Sequence, residues 1–398
     1  MWTARELMFF LNERGCRPYW VGGCVRDKYL GREPDDYDIT VAAKPEEVAS
    51  LLQTAGLSPE LGAVRYGTVS VGTSDGMIEI TTHRKDGTYT DARHPQEVEF
   101  TDDVREDLGR RDFTVNAMAL DADGNLVDPY GGLADLKART LRCVGDPVTR
   151  FTEDSLRMLR AARFAAKLGF DWDPALRSGI ESCRDLCASL SNTRVGAELS
   201  GLLLSDRPAY GMTLLRDSGL LRVLFPGYEP PEDLSGLDRL PRDLALRMCY
   251  LVWERDTATV YNVLRRMHLP KNLFDDVLLM TTAEVLLLPL DGPSIRRALR
   301  TYGSLLPGIL RVREAYGEKN EAIRNIAEMD LETGVCVSFA GLAVSGDDLI
   351  EAGIPAGRAI GITLSYLLDE VLEEPDFNSK DILLEKALSF CRREGYIE

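Results

Sequence analysis

The chain is 398 residues long, 44% hydrophobic and 28% charged, which fits an ordinary soluble globular protein with core enough for two to four structural units. A formal net charge of −17 argues against a broadly basic nucleic-acid face, though not against a local one. The charged start (Met1-Trp2-Thr3-Ala4-Arg5-Glu6) is unlike a signal peptide, the apolar run at 285–288 stops at Pro289 and is too short to span a bilayer, and eight irregularly spaced cysteines include no Cys-x-x-Cys pair. No membrane association and a reduced, cytoplasmic setting are therefore expected.

An apolar run, Tyr19-Trp20-Val21, leads into Gly22-Gly23-Cys24-Val25-Arg26-Asp27. A strand running into a Gly-Gly turn leaves backbone N–H groups facing outward without obstructing side chains, which suits a polyphosphate. Gly31 and Pro34 then break the chain before Asp36-Tyr37-Asp38. Residues i and i+2 of a strand share a side, so Asp36 and Asp38 would offer two carboxylates to one hard cation. Pro45 predicts a helix to about residue 53, with Glu46 and Glu47 suited to its first turn. Alternating segments at 68–71 and 77–81 flank Ser74-Asp75-Gly76 and read as a hairpin. Glu79 lies on the polar face of that hairpin, opposite Ile78 and Ile80, and would add a third carboxylate. Segments 117–120 and 125–128, flanking Asp123-Gly124, predict a second hairpin.

Between the hairpins, Arg110-Arg111-Asp112-Phe113-Thr114-Val115-Asn116 places charge directly before a small apolar run. The planar fork of Arg111 suits a phosphate or a base edge. Asp112 and Asn116 suit ribose hydroxyls or local capping. After Asp146-Pro147 the apolar period changes to three and four, as in Leu156, Leu159, Phe164 and Leu168, and the remaining two-thirds read as helical. Asp154, Arg157, Arg160 and Arg163 step by three and predict a charged stripe along one helix. Cys183 and Cys187, one turn apart, read as two core thiols. Arg265-Arg266 and Arg296-Arg297 with Arg300 are candidates for nucleic-acid backbone contacts, with plain surface solvation as the competing reading.

Asp154 with Arg157 has a specific physical use. Cytosine and adenine both present an exocyclic amine beside a ring-nitrogen acceptor, which a carboxylate and a guanidinium complement. Uracil and guanine put a carbonyl oxygen where the amine would be. The mismatch leaves a buried group unpaired, at a cost of about 1–3 kcal/mol.

These blocks resemble the class II, bacterial-type CCA-adding enzymes, tRNA nucleotidyltransferases that share their head with bacterial poly(A) polymerases. The resemblance rests on Gly22 to Asp27, the Asp36/Asp38 pair, Thr81-Thr82 to Pro95, Arg110 to Ala119, Asp128-Pro129-Tyr130-Gly131-Gly132 and Glu153 to Phe164. Arg194 with Glu198-Leu199 is similar to the family's neck motif, and residues 343–357 are similar to the tail of its shorter members. It implies an α+β fold: a polymerase-β-like head with a mixed sheet, followed by an all-α neck, body and tail. The expected divisions are 1–145 (head), 146–205 (neck), 206–290 (body) and 291–398 (tail, binding tRNA).

The implied activity is template-independent addition of C, C and A to the 3′ end of tRNA from CTP and ATP, with two Mg2+ ions. Asp36 and Asp38 would bind metal, with Glu79 as third acid. Gly23, Arg26 and Arg111 would hold the triphosphate and incoming nucleotide. Asp154 and Arg157 would select the base, supported by Arg160 and Arg163. Asp112, Asn116, Asp86 and Arg93 would make ribose or loop contacts, and the 84–95 loop is linked in this family to the switch to A. His83 stands where relatives often have an aromatic residue and is not read as catalytic. No His-Asp pair is present, so the phosphohydrolase activity of longer relatives is not expected. The rival readings are an A-adding enzyme or poly(A) polymerase, and, from another class, a catalytically silent RNA-binding protein.

Overall fold

The structure, a computed structural model, describes residues 2–62, 67–86, 98–281, 289 and 291–398. They form two compact units, residues 1–229 with 266–268, and residues 230–265 with 269–398.

The first unit begins with α1 (Ala4–Glu13), whose N-terminus is closed by a Thr3/Glu6 capping box. Then come β1 (Tyr19–Val21), α2 (Gly23–Tyr29), β2 (Asp38–Val41) and α3 (Pro45–Thr54), the last with Pro45 at its start and Glu46 and Glu47 in its first turn, as predicted. Next are β3 (Thr68–Thr73), β4 (Gly76–Thr82), β5 (Arg84–Asp86), β6 (Val98–Phe100), α4 (Val104–Gly109), β7 (Ala119–Asp121) and β8 (Leu126–Val127). Both predicted hairpins form, as antiparallel β3–β4 and β7–β8. Six strands make one mixed sheet in the order β3-β4-β2-β1-β7-β8, in which only β2 and β4 run parallel.

Strand alternation sorts this sheet into two faces. Ile39, Val41, Val69, Val71, Ile78 and Ile80 pack with Leu7, Met8 and Leu11 of α1 and with Val48 and Leu52 of α3. Val21, Ala117 and Ala119 enter a smaller cluster with Val104, Leu108 and Val144.

The chain continues through α5 (Gly132–Ala138), β9 (Thr140–Leu141), α6 (Pro147–Glu153), α7 (Leu156–Leu168), β10 (Asp171–Trp172), α8 (Pro174–Cys183), α9 (Asn192–Leu203), α10 (Pro208–Asp217) and α11 (Leu220–Leu224). α7 packs on α9 and α10, burying Leu159, Ala161, Ala162, Ala165 and Ala166. Cys183 and Cys187 are buried free thiols, as read from the sequence. The described residues of the second unit are helical, with clusters around Ile295, Leu299, Leu306 and Leu310 and around Leu349, Leu367, Leu368, Val371 and Leu383.

The Asp128-Pro129-Tyr130-Gly131-Gly132 block is a packing device. The Asp128 carboxylate accepts from the N–H groups of Gly132 (2.7 Å) and Leu133 (3.0 Å), capping α5. A β-carbon on Gly132 would sit 2.2 Å from the Thr114 carbonyl oxygen, and backbone cannot give way there cheaply. Gly132→Ala should therefore lower the thermal unfolding midpoint by several degrees, roughly 4 °C or more. An unchanged midpoint would show that the α5–Thr114 approach is not tight.

Candidate active site

Three acids lie on the sheet face opposite α1 and α3. Asp38 opens β2 and pairs in parallel register with Glu79 on β4, while its antiparallel partner on β1 is Val21. Ile39, Ile78 and Ile80 point into the core, so Asp38 and Glu79 point away from it. Asp36 precedes β2 instead of lying within it, yet it reaches the same place. A β-carbon built on Gly23 would lie 3.5 Å from Asp36 Oδ1, and one on Gly22 would lie 3.8 Å from Asp38 Oδ2. Both carboxylates thus border the Gly-Gly turn. Gly22 has φ of +72°, which favours glycine, and it forms the N-cap of α2.

Burial, joined by the charges of Asp36 and Glu79, pushes the Asp38 carboxyl up to about 6, with Arg111 opposing. Uncompensated negative charge on hard oxygen donors is what a divalent cation relieves, so these residues fit one. Among the described residues no three His, Cys, Asp or Glu side chains already form a closed ligand set. The carboxylates are neighbours that an ion would draw together.

Arg111 leans over the turn: its Nη1 lies 3.0 Å from the position of a Gly22 β-carbon. Its Nη2 is 3.4 Å from Asp107, and its buried Nε lacks a hydrogen-bond acceptor. Arg26 lies beneath the turn, only 3% exposed. It makes two 2.9 Å bonds to Asp27 and donates to Asn116 Oδ1 at 2.7 Å. Asn116 in turn donates to Asp112, which also receives Arg160 at 2.7 and 2.6 Å. Burial alone would raise the Asp112 carboxyl, but Arg160 together with hydrogen bonds from Asn116 and the Phe113 N–H holds it below the usual range. Asp112 also accepts from the Phe113 N–H at 2.8 Å, the local capping that the sequence allowed, while Asn116 and Asp112 link Arg26 to Arg160.

The charged stripe is only partly as predicted. Asp154 is not on the arginine helix; it occupies the extended corner between α6 and α7, with φ −148° and ψ 104°. Ser155 intervenes, and α7 begins at Leu156. Asp154 takes Arg194 of α9 on both oxygens, at 2.9 and 2.7 Å. Arg157, 8% exposed, binds Glu153 at 2.5 Å and the carbonyls of Arg150 and Arg110. Glu198 of α9 lies 2.6 Å from Arg163 and 3.7 Å from Arg160. From α9, Arg194 thus holds Asp154 at the corner and Glu198 holds the α7 arginines Arg160 and Arg163.

Two of these partners escaped the sequence reading. Glu153 stands four residues before Arg157, and the fully buried Asp107 stands four before Arg111. A spacing of four residues carried the signal in both cases, although each pair spans a helix end. His83 is fully buried against the Thr40 hydroxyl, and burial pushes it down to about 4, so it is neutral packing. Arg93 and most of the 84–95 loop, together with the Asp86 side chain, lie outside the described residues.

Comparison with known proteins gives the chain's family. Residues 18–142 match the poly A polymerase head domain, and residues 169–230 match a probable RNA and SrmB-binding site of polymerase A. A CCA-adding enzyme of Limosilactobacillus fermentum is 33% identical over 96% of this chain and 96% of its own. One from Anoxybacillus flavithermus is 32% identical over 98% of both chains. The chain belongs to the CCA-adding enzyme family. A solved family member, the Bacillus stearothermophilus CCA-adding enzyme in complex with CTP, matches with a TM-score of 0.82 at 28% identity over 98% of both chains. A Thermotoga maritima CCA-adding enzyme complexed with tRNA shares the fold, with a TM-score of 0.71 at 22% identity over 97% of this chain and 94% of its own. The mixed-sheet head with a helical remainder is the architecture of the family, as the resemblance implied.

Asp38 gives a signed pH prediction for the family member described here. Its carboxyl ionises near 6 when folded and near 3.9 when unfolded. Between those values the folded state keeps a proton that the unfolded state has lost, so stability falls as pH rises through the window and stays reduced above it. Asp38→Asn should therefore raise the unfolding temperature in EDTA at pH about 8 and leave it little changed at pH about 3.5. Equal midpoints for wild type and variant at the higher pH would mean that the acids do not strain one another.

Proposed function

We propose that this chain adds C, C and A, without a nucleic-acid template, to the 3′ end of tRNA lacking them, using CTP and ATP. The observation that carries the reading is the placement of Asp36, Asp38 and Glu79 beside the Gly22-Gly23 turn and under Arg111. Family membership supports it.

In this reading the backbone N–H groups at the start of α2 and the Arg111 guanidinium take the triphosphate. Arg26 supports that turn from below, its charge fixed by Asp27 and Asn116. Asp36 and Asp38, with Glu79 as third acid, would hold divalent cations, magnesium being the ion that suits such oxygen donors and two ions the expected number. Bound there, the metal supplies Lewis acidity for attack of the tRNA 3′ hydroxyl on the α-phosphate and charge neutralisation for departing pyrophosphate.

Base choice falls to Asp154 and Arg157. Arg194 uses one nitrogen on the two Asp154 oxygens, and a carboxylate has about four acceptor sites, so capacity remains for an exocyclic amine. Glu153 and two carbonyls fix the Arg157 plane. A preset edge of this kind favours C and A and leaves U and G facing like groups.

No described helix is long and apolar enough to cross a membrane. The proposed place of action is the cytoplasm, where uncharged tRNA and free nucleotides meet.

Asp36→Ala and Asp38→Ala should each cut incorporation of labelled CTP into CCA-less tRNA by more than about a thousandfold, while circular dichroism stays native. Either variant working near the wild-type rate removes the metal assignment. Asp154→Ala should let UTP and GTP compete, read by sequencing the extended ends. An unaltered preference for C and A would refute the protein-borne template.

A further inference from the structure

The arginines clustered in sequence at 265–266 and 296–300 are mostly occupied. Arg266 donates to the Leu190 carbonyl and to Asn192. Arg296 is buried against the carbonyls of Leu372 and Glu373, Arg297 pairs with Glu373, and Arg300 pairs with Asp369. A different group stands out in the first unit, around the end of α7.

Gly169 ends α7 with φ of +68°. The position that its β-carbon would take lies 3.0 Å from Arg207 Nη1 and 3.2 Å from Arg139 Nη2. Two guanidinium groups from separate elements, one after α5 and one before α10, thus converge on one glycine. Arg177 of α8 lies over the Trp172 ring at 5.7 Å, and both Arg177 and Arg207 act electrostatically on the Tyr210 hydroxyl. All three arginines are exposed. Arg139 Nη2 donates to the Gly169 carbonyl at 3.3 Å, and among the described residues none of the three forms an ion pair with a carboxylate. The acid at the border, Asp171, accepts from the Tyr210 hydroxyl at 2.7 Å.

Three guanidiniums with Asp171 as the one carboxylate at their border carry an excess of positive charge, which is unfavourable in a chain whose 64 acids could have balanced it. The arrangement becomes favourable when an external anion sits among the forks, and planar guanidiniums match phosphate oxygens in pairs. Gly169 keeps the gap open, because any side chain there would be strained in backbone and would press on both guanidiniums. The cluster is also tied to the active site: Lys167, two residues before Gly169, bonds Asp35 at 2.9 Å, and Asp35 directly precedes Asp36.

We propose that Arg139, Arg177 and Arg207 form a phosphodiester-binding site that grips the tRNA backbone while its 3′ end lies at Asp36 and Asp38. This rests on the tRNA reading above and adds the surface that would hold the substrate. It also answers the net charge of −17, because the positive face it describes is local.

The test uses the full chain and fluorescently labelled tRNA lacking its last three nucleotides. Binding is followed by anisotropy across a salt series, with CTP incorporation measured in parallel. Arg177→Gln/Arg207→Gln alters two exposed side chains and should leave the fold intact, with Arg139→Asn as an independent second variant at a position of positive φ that Asn tolerates. The double variant should bind tRNA roughly tenfold or more weakly, and the slope of log affinity against log salt should fall by about 0.7–0.9 per lost contact. The KM for CTP should stay unchanged, which a general structural defect would not allow. Unchanged tRNA affinity and salt slope in both variants overturn the site. Wild type that binds tRNA in this salt-dependent, arginine-dependent way but incorporates nothing would instead remove the catalytic reading and leave the site standing. Wild type that fails to bind tRNA removes both.

Discussion

Repulsion among carboxylates held on one sheet face is the constraint on which the first unit depends. The parallel β2–β4 pairing puts Asp38 opposite Glu79, and the bend before β2 brings Asp36 to the same edge. Nothing in the acids themselves favours this. It is imposed by the opposite face, where Ile39, Val41, Ile78 and Ile80 are buried under α1 and α3. Four such side chains contribute roughly 1.5–3 kcal/mol each, more than enough to hold ionised carboxylates together. Slipping either strand by one residue would turn acids into the core, so the register that packs the isoleucines also builds the site.

From the Gly-Gly turn a chain of alternating charge runs into the helices. Asp27 holds Arg26, Arg26 holds Asn116, Asn116 and Arg160 hold Asp112, and Glu198 holds Arg160 and Arg163. The three arginines surround one ring, Phe164, at 5.4, 5.2 and 4.9 Å. Buried ion pairs add little net stability, but breaking one leaves a costly unpaired charge, so they discriminate strongly between arrangements. Here they fix α2, α7 and α9 to the segment at 112–116. The phosphate end and the base-reading end of a nucleotide would then meet groups whose spacing is set before binding, and orientation of this kind is a large part of what catalysis needs.

The sequence was most legible where chemistry and periodicity coincide. Alternation around Ser74-Asp75-Gly76 predicted β3 and β4, and the same alternation placed Glu79 on the polar side. Pro45 marked the start of α3. Reading failed where a local break interrupts a regular spacing. Steps of three from Asp154 to Arg163 look like one stripe, but Asp154 is extended and its partner is Arg194, forty residues on. Long-range pairing of this kind leaves no trace in spacing. The arginine partners of Asp112 and Asn116 were equally hidden, since Arg160 and Arg26 reach them only through tertiary packing. Arg296, Arg297 and Arg300, clustered in sequence, find partners within the helix Arg358–Glu373 that no spacing announced. Arg139, Arg177 and Arg207, scattered over sixty-odd residues, carried no pattern at all until Gly169 brought two of them together.

The central claim is that crowded negative charge on β2 and β4 exists to hold divalent ions against a nucleotide. Crystals grown with CTP and Mn2+ test it directly through anomalous scattering from the metal. Peaks should fall between Asp36 and Asp38, on the face shared with Glu79, with the triphosphate running toward Gly22 and Gly23. An ordered nucleotide whose manganese lies away from both aspartates would contradict the account.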